Sequence, residues 1–263
     1  MITPVFKAAA AQEPISGAPK ANLDAMKRFV LSTRDARSRF RCARYLANVQ
    51  TVAPEAATSE YARAANRIVL TMFQSPNPQV RTDAANALWG TRYPQNGGAL
   101  LWHALHDRSP TVAAASFRNL VWPMRADIVV SHGRAAYAAA ITQGLKSKND
   151  GVVGAALSAY AALYQSTADA FLRRYALDKR DVVRLGAIDA YDLIGQIRAG
   201  MVPFIESRLS DSSPVVRKSV MLQLFRWGDH HAMAEIERLS KTAPTAKERS
   251  LAREYADALK KQP

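Results

Sequence analysis

The sequence contains little that would support disulfide bonding or a membrane span. Cys42 is the single cysteine among 263 residues, so no disulfide can form within the chain. The neighbouring arginines would lower the pKa of a reactive thiol, but a lone small residue of this kind is better interpreted as part of a buried core. No apolar run approaches the roughly 20 residues that a membrane-spanning helix needs. We therefore predict no membrane span.

Motifs of catalysis are also missing. The sequence has no Gly-rich phosphate-binding loop, no Ser-His-Asp arrangement and no cysteine cluster. His103 and His106 are spaced so that two imidazoles could share one helix face, but two ligands do not make a metal site. We expect no catalytic residue, no metal and no cofactor.

Acidic residues are scarce in this chain. The sequence has 22 Asp and Glu against 36 Lys and Arg, which gives a formal net charge of +14. Residues 1–70 hold 11 basic and 5 acidic side chains, whereas residues 151–263 hold 17 and 13. The positive excess is thus concentrated toward the N-terminal end, and it favours an acidic partner or nucleic acid.

The first 20 residues differ from the rest. Residues 8–14 read like the end of a secretory signal followed by a mature start, but the apolar segment at residues 2–6 is too short for export and follows no basic residue. We predict a disordered tail or signal remnant over residues 1–20 and a cytoplasmic location. A periplasmic or secreted location is the alternative if the chain starts inside a longer precursor.

Five stretches of the chain share one pattern: Val, a small residue four positions later, and Leu or Tyr eight positions later. They are Val80/Ala84/Leu88, Val112/Ser116/Leu120, Val152/Ala156/Tyr160, Val183/Ala187/Tyr191 and, with Val in the small position, Val216/Val220/Leu224. Successive first valines lie 32, 40, 31 and 33 residues apart. Self-similarity at such a period indicates an array in which each repeat completes the core of its neighbour.

The spacing of each triplet predicts a helix, because positions 0, 4 and 8 fall within one narrow sector at 100° per residue. Turn signals rich in Asp, Ser and Pro precede each triplet, so each triplet opens a helix, here called a B helix. Apolar stretches at 61–73, 100–105, 137–145, 171–177 and 202–209 predict the preceding A helices. An opening pair within 23–49 and a closing pair at 233–239 and 246–260 complete about seven helical hairpins.

This pattern resembles the HEAT-repeat family and the related short bacterial HEAT-like repeats. The resemblance rests on the Val-Arg pairs Val80-Arg81, Val183-Arg184 and Val216-Arg217, while Ala113 and Val153 depart from it. It implies a right-handed α-solenoid of antiparallel hairpins, in one domain over residues 21–263. It also implies that these arginines pair with aspartates of neighbouring turns, for which Asp178 and Asp211 are the matching acids.

Four arginines near the N-terminus form the sharpest charge pattern. Arg34, Arg37, Arg41 and Arg44 are spaced 3, 4 and 3 residues apart, which predicts one basic helix face, with Phe40 on the opposite face. Guanidinium groups bind phosphates or carboxylates through paired hydrogen bonds. We therefore predict an anion- or acidic-partner-binding stripe here, and the alternative is the polar flank of an end repeat.

The B-helix positions that point away from the packed sector predict the chemistry of the concave face. The candidate partner-binding residues there are Asn86, Trp89, Arg118, Trp122, Asp189, Asp192 and Phe225. A phosphate-binding groove should be basic along its length, whereas this strip mixes aromatic, basic and acidic groups. It favours a protein partner, and thus a non-enzymatic scaffold or adaptor.

Two alternatives stay open because family members with these repeats have other functions. The runner-up is a nucleic-acid-binding protein similar to the HEAT-like alkylpurine DNA glycosylases, in which Asp127 would be the acid nearest to Trp122 and Arg125. The third is a lyase or chaperone for a bilin pigment. The sequence does not name the partner or the oligomeric state.

Overall fold

The computed structural model describes residues 20–52, 60–91, 93–131, 133–194, 200–229 and 231–261. Within these ranges the chain is helical and has no strand, which confirms the all-α class. None of the helices in these ranges is both long and apolar enough to cross a membrane. The predicted tail lies outside the described residues, except that Lys20 already begins the first helix.

Fifteen α-helices follow one another in the described residues. The first eight are α1 (Lys20–Ser32), α2 (Ala36–Val52), α3 (Glu60–Met72), α4 (Pro78–Ala87), α5 (Pro94–His106), α6 (Pro110–Asn119), α7 (Val121–Ser131) and α8 (Arg134–Leu145). The other seven are α9 (Asp150–Tyr164), α10 (Asp169–Tyr175), α11 (Asp181–Ala190), α12 (Met201–Ser207), α13 (Pro214–Trp227), α14 (Met233–Thr242) and α15 (Ala246–Leu259). Short 3-10 segments extend the chain after α9, α11 and α12.

The helix starts have local causes that the sequence displays. Proline opens α4, α5, α6 and α13, where its missing N–H costs no helical hydrogen bond. Asn77 and Asn149 cap α4 and α9, because their side chains accept the N–H groups of Gln79 (2.9 Å) and Val152 (3.1 Å). The prolines and asparagines of the turns therefore work as the sequence predicts, whereas the cap residues Ser109 and Ser213 make no side-chain cap hydrogen bond.

The described residues divide into two compact units, which meet in sequence between Gly144 and Leu145. In the first unit the B helices α2, α4 and α6 pack in succession, and α1 packs on α2 and α3. In the second unit α9, α11, α13 and α15 pack in the same successive manner. Each unit thus has its own row of B helices, and the prediction of a single domain over 21–263 stays a prediction.

Helix α7 was not expected from the sequence. It occupies part of the 40-residue interval between Val112 and Val152, begins immediately after Leu120, and packs on α5. Its sequence is apolar over most of its length, so no one-sided pattern separates it from a loop or a buried segment. The long interval therefore reflects an added helix.

The triplet register is confirmed by burial. In all five triplets every residue except the half-buried Tyr160 lies in the core. Helix α2 continues the pattern with Ser38, Cys42 and Leu46, of which Cys42 and Leu46 are buried. Burial raises the pKa of the Cys42 thiol to about 12, which leaves it protonated and confirms the core interpretation of this residue.

One arginine at the start of each of five B helices binds back to its own turn. Its Nη1 donates to the carbonyl oxygen six residues upstream: Arg39 to Thr33 (2.8 Å), Arg81 to Ser75 (2.8 Å), Arg184 to Asp178 (2.9 Å), Arg217 to Asp211 (2.6 Å) and Arg249 to Ala243 (2.7 Å). We call these five side chains the rung arginines. Each one ties the turn before a B helix to the first turn of that helix.

Four of the rung arginines also bind an acid of the following repeat. The pairs are Arg39–Asp83 (2.5 Å), Arg81–Asp107 (2.7 Å), Arg184–Asp211 (2.8 Å) and Arg217–Glu248. Asp211 was predicted as such an acid. Asp178 was not found in this role: it accepts from Arg180 of its own turn, because the preceding repeat has Val153 where a rung arginine would stand.

Helices α9 and α11 approach each other more closely than side chains would allow. A Cβ added to Gly186 would lie 2.4 Å from the Cα of Gly154 and 2.9 Å from its carbonyl carbon. Real Cβ atoms essentially never come so near to backbone atoms, and backbone cannot move aside as a side chain can. The absence of a side chain at position 186 therefore sets the spacing of these two B helices.

We expect Gly186→Ala to lower the free energy of unfolding by about 1–3 kcal/mol, because the added methyl overpacks a backbone contact. Gly98→Ala is the matched control within helix α5, where an added Cβ meets no atom within 4 Å. That change should raise stability by up to about 1 kcal/mol through helix propensity. Urea unfolding of both variants tests the contact, and a Gly186→Ala protein as stable as the parent would contradict it.

The pair of Arg81 and Asp107 predicts a pH dependence of stability. Burial alone would raise the pKa of Asp107, but hydrogen bonds from Arg81, the Ser109 N–H and His103 lower it to about 2. A carboxylate with a lowered folded-state pKa adds stability above its unfolded pKa near 4, and this is lost as the pH falls toward 2. Asp107→Asn should cost about 3 kcal/mol at pH 7, and the difference from the parent should shrink between pH 4 and pH 2.

Urea unfolding at a series of pH values measures this difference. Asp192→Asn is the control, because Asp192 belongs to an exposed pair with Arg226 and its loss should cost less than about 1 kcal/mol. A difference for Asp107→Asn that does not change with pH would mean that the charge of this carboxylate is not what stabilises the turn.

Candidate interaction surface

The exposed side of α2 carries arginines and an aromatic ring. Arg37, Phe40 and Arg41 are exposed, and their spacing places them on one helix face. The prediction that Phe40 lies on the face opposite the arginines was wrong, since Phe40 follows Arg37 by three residues and 37% of its surface is exposed. The reason is the register of α2, whose packed positions are Cys42, Ala43, Leu46 and Ala47.

Arg34 does not belong to that helix face. Helix α2 begins at Ala36, and residues 33–35 form the turn before it. Asp35 caps the helix there: its Oδ1 accepts the Arg37 N–H (3.0 Å) and its Oδ2 accepts the Ser38 hydroxyl (2.5 Å). The predicted four-arginine face is therefore three residues of α2, with Arg34 exposed in the adjoining turn.

Arg44 links the arginine face to Trp89. Its guanidinium carbon lies 4.8 Å from the centre of the Trp89 ring, and Nη1 donates to the carbonyl oxygens of Trp89 and of Ala87 (3.3 Å). The Trp89 side chain is nevertheless 55% exposed. The stack therefore positions an indole ring that is open to solvent at the end of α4.

Arg37, Phe40, Arg41, Arg44 and Trp89 together are called the basic-aromatic patch. All of them lie on the B helix α2 or directly after the B helix α4, and α2 packs against α4. On α2, Arg37 and Arg41 are exposed and Arg44 is partly exposed. The other two members, Phe40 and Trp89, are exposed aromatic rings. Exposed rings beside guanidinium groups are the composition of binding hot spots.

The remaining predicted residues of the first unit lie on or after α6. Arg118 is exposed, whereas Asn86 is half-buried and accepts a hydrogen bond from Asn119 (3.0 Å) that joins α4 to α6. Trp122, also half-buried, lies at the start of α7, where the Arg125 guanidinium stands 5.5 Å from its ring centre. Asn86 and Trp122 thus contact other residues of the chain. Arg118 adds an exposed cation to the B helix α6.

The predicted residues of the second unit connect neighbouring B helices. Asp189 accepts the Ser219 hydroxyl, and Asp192 pairs with Arg226. The ring of Phe225 stacks on Tyr255 with a centroid distance of 5.4 Å. The two acids of this B-helix face are thus bound within the chain.

Other candidates from the sequence have local structural partners. Nδ1 of His103 lies 3.0 Å from Asp107 and Nδ1 of His106 lies 3.0 Å from the Trp102 carbonyl, at a cavity of about 750 Å³. Asp127, the nominated glycosylase acid, accepts the hydroxyl of the buried Tyr137 (2.7 Å). Among the described residues no group of three or more His, Cys, Asp and Glu side chains is arranged to hold a metal ion.

Comparisons with known proteins identify a similar fold. No family model matches the chain, and no curated protein sequence matches it. The X-ray structure of YibA from Escherichia coli aligns with a TM-score of 0.54 over 99% of this chain and 98% of that chain, at 14% identity. An engineered protein aligns over 91% and 96% at 15% identity, with a TM-score of 0.40. The likeness to YibA concerns the fold alone.

Proposed function

We propose that this protein is a non-enzymatic scaffold that binds a protein partner through its B helices. In this proposal HEAT-like repeats form a right-handed α-solenoid of about seven helical hairpins. The repeated rung arginines and the successive packing of B helices in each unit support the repeat assignment. The basic-aromatic patch is the surface that we assign to the partner.

The observation that carries the proposal is the exposed indole of Trp89 held against Arg44. A protein gains little by exposing a large ring, and such rings at an arginine-rich surface are typical anchors of protein interfaces. The guanidinium groups of Arg37 and Arg41 form no ion pair within 4 Å in the described residues. The nearby Asp35 accepts the backbone N–H of Arg37 and the Ser38 hydroxyl. We therefore expect a partner segment that carries carboxylates beside an aromatic or aliphatic side chain.

Nucleic acid is the second candidate, and one observation favours it. Stacking rings next to arginines also bind single-stranded bases, and the patch supplies both. Against it, the B-helix face of the second unit carries Asp189 and the Asp192–Arg226 pair, so it is not basic along its length as a phosphate-binding groove should be. A protein partner fits both faces better.

We expect Arg37→Glu combined with Arg41→Glu to weaken binding of an acidic peptide by at least about tenfold, since two cations become anions at the patch. The probes are labelled acidic peptides with and without one aromatic residue, and labelled duplex and single-stranded DNA and RNA. Fluorescence anisotropy between about 50 and 200 mM salt measures each affinity. Arg63→Glu with Arg67→Glu is the matched control, because these exposed arginines have the same spacing on α3, outside the row of B helices.

The outcomes separate the two candidates. Peptide binding that needs the aromatic residue, and that is lost in the patch variant and kept in the control, supports the scaffold. Submicromolar nucleic-acid binding with a steep salt dependence would replace it with the second candidate. Equal losses in both variants would mean that net charge alone, and not the patch, attracts the probe.

Trp89 should be important for binding but not for folding. We expect Trp89→Ala to change the free energy of unfolding by less than about 1 kcal/mol, because the ring is mostly exposed. The adjacent Leu88 is fully buried, and Leu88→Ala should cost about 2–5 kcal/mol. Denaturant unfolding compares the two, and a Trp89→Ala protein as unstable as Leu88→Ala would make the ring a structural residue.

A further inference from the structure

A cavity of about 400 Å³ lies at the C-terminal end of α13, within the second unit. Val202, Pro203 and Trp227 form its apolar walls, and Glu206, Asp229 and His231 supply its ionisable groups. None of these residues belongs to the basic-aromatic patch. The two carboxylates make the cavity unusual in a chain with a net charge of +14.

Asp229 is held in place by the end of α13. Gly228 adopts a left-handed backbone conformation (φ 66°), the Gly228 N–H binds the Phe225 carbonyl (3.1 Å), and the Asp229 N–H binds the Leu224 carbonyl (3.1 Å). These are the two hydrogen bonds of a Schellman motif, in which glycine is favoured. Asp229 therefore has a fixed backbone position at the edge of the cavity.

Only one of the two carboxylate oxygens of Asp229 has a hydrogen-bond partner among the described residues. Its Oδ1 accepts the His231 N–H (3.0 Å), but its buried Oδ2 has no hydrogen-bond partner among the described residues. Only 8% of the residue is exposed to solvent. A buried carboxylate oxygen without a partner is costly and calls for an explanation, such as a bound cation.

The surroundings of Asp229 select the kind of cation. Glu206 is the second carboxylate, and burial together with the charge of Asp229 raises its pKa. A calcium ion needs six to eight oxygen ligands, and the described residues contain no cluster of three or more His, Cys, Asp and Glu side chains that could hold a metal ion. The indole of Trp227 and the aliphatic walls instead suit a cation with an organic body, through cation–π and apolar contacts.

We propose that this cavity binds an organic monocation, an alkylammonium or guanidinium group, which turns the Asp229 carboxylate toward the cavity and donates hydrogen bonds to this carboxylate and to that of Glu206 beside the Trp227 ring. Two sources share this chemistry: a free amine, and a lysine or arginine side chain of a partner protein. The site is independent of the scaffold function proposed above.

NMR titration of the full chain tests the site. The reporters are the His231 amide and the Trp227 indole N–H, and the probes are butylammonium, acetyl-lysine amide, acetyl-arginine amide, sodium and calcium. We expect both reporters to shift with organic cations and not with sodium. Tighter binding of the blocked amino acids than of butylammonium indicates a partner side chain, and the reverse order indicates a free amine.

Asp229→Asn is the decisive variant, because its amide oxygen can still accept the His231 N–H while the negative charge is gone. It should weaken binding at least tenfold and, without ligand, raise the melting temperature, since an unpartnered buried charge is removed. Glu206→Gln should weaken binding severalfold. Glu254→Gln, an exposed residue of α15 outside the cavity, is the control and should change neither property.

Three results would overturn the proposal. Failure of all the organic cations to shift the reporters at millimolar concentration excludes the site. Binding that persists unchanged in Asp229→Asn places the cation elsewhere. Tighter binding of calcium than of any organic cation replaces the proposed ligand class with a metal ion.

Discussion

A buried guanidinium with fixed partners on two sides connects successive repeats of this protein. Each rung arginine satisfies carbonyl groups of its own turn, and four of the five also bind an acid of the next repeat. Removing one partner would leave a charge in a site from which water is largely excluded, which is strongly destabilising. At Val153, one of the two positions where the arginine is missing, another contact takes its place: α9 meets α11 through Gly154 and Gly186, and Arg180 reaches back to Asp150 (3.0 Å). Repeat spacing is therefore set by two different interactions in one chain.

The pairing of the rung arginines also explains why the net charge of this chain is a weak guide to its function. Arg39 and Arg41 are two residues apart, yet Arg39 is buried against Asp83 while Arg41 is exposed. The positive charge that is available to a partner is what remains after the rung arginines are paired. On the B-helix face of the first unit, the remaining cations are the arginines of the basic-aromatic patch, beside Trp89 and Phe40. The B-helix face of the second unit instead holds Asp189 and Asp192, which are bound within the chain.

Most helices and the packed register could be predicted from the sequence because their causes are local. Proline and asparagine at helix starts, and a small residue four positions after valine, need no knowledge of distant contacts. The orientation of α2 was missed because its packed triplet begins with Ser38 and not with valine, although the Ser38-Arg39 pair stands in the position of Val80-Arg81. Helix α7 was missed because an apolar segment without one-sided periodicity does not reveal its type. The cavity at Asp229 was beyond reach, since an unsatisfied oxygen is a property of the folded surroundings.

The chemistry of that cavity is not explained by the turn that builds it. A Schellman motif needs Gly228 and the two backbone N–H groups, and it makes no demand on the side chain that follows. The hydrogen bond to the His231 N–H needs only one oxygen, which asparagine would supply without a buried charge. A carboxylate at position 229 therefore adds an electrostatic cost that the fold does not require. Glu206 adds a second cost, because burial and the nearby charge of Asp229 raise the pKa of the Glu206 carboxyl. A cation between the two carboxylates would offset both electrostatic penalties at once. The free-energy cost of this arrangement is therefore lowest when the cavity is occupied.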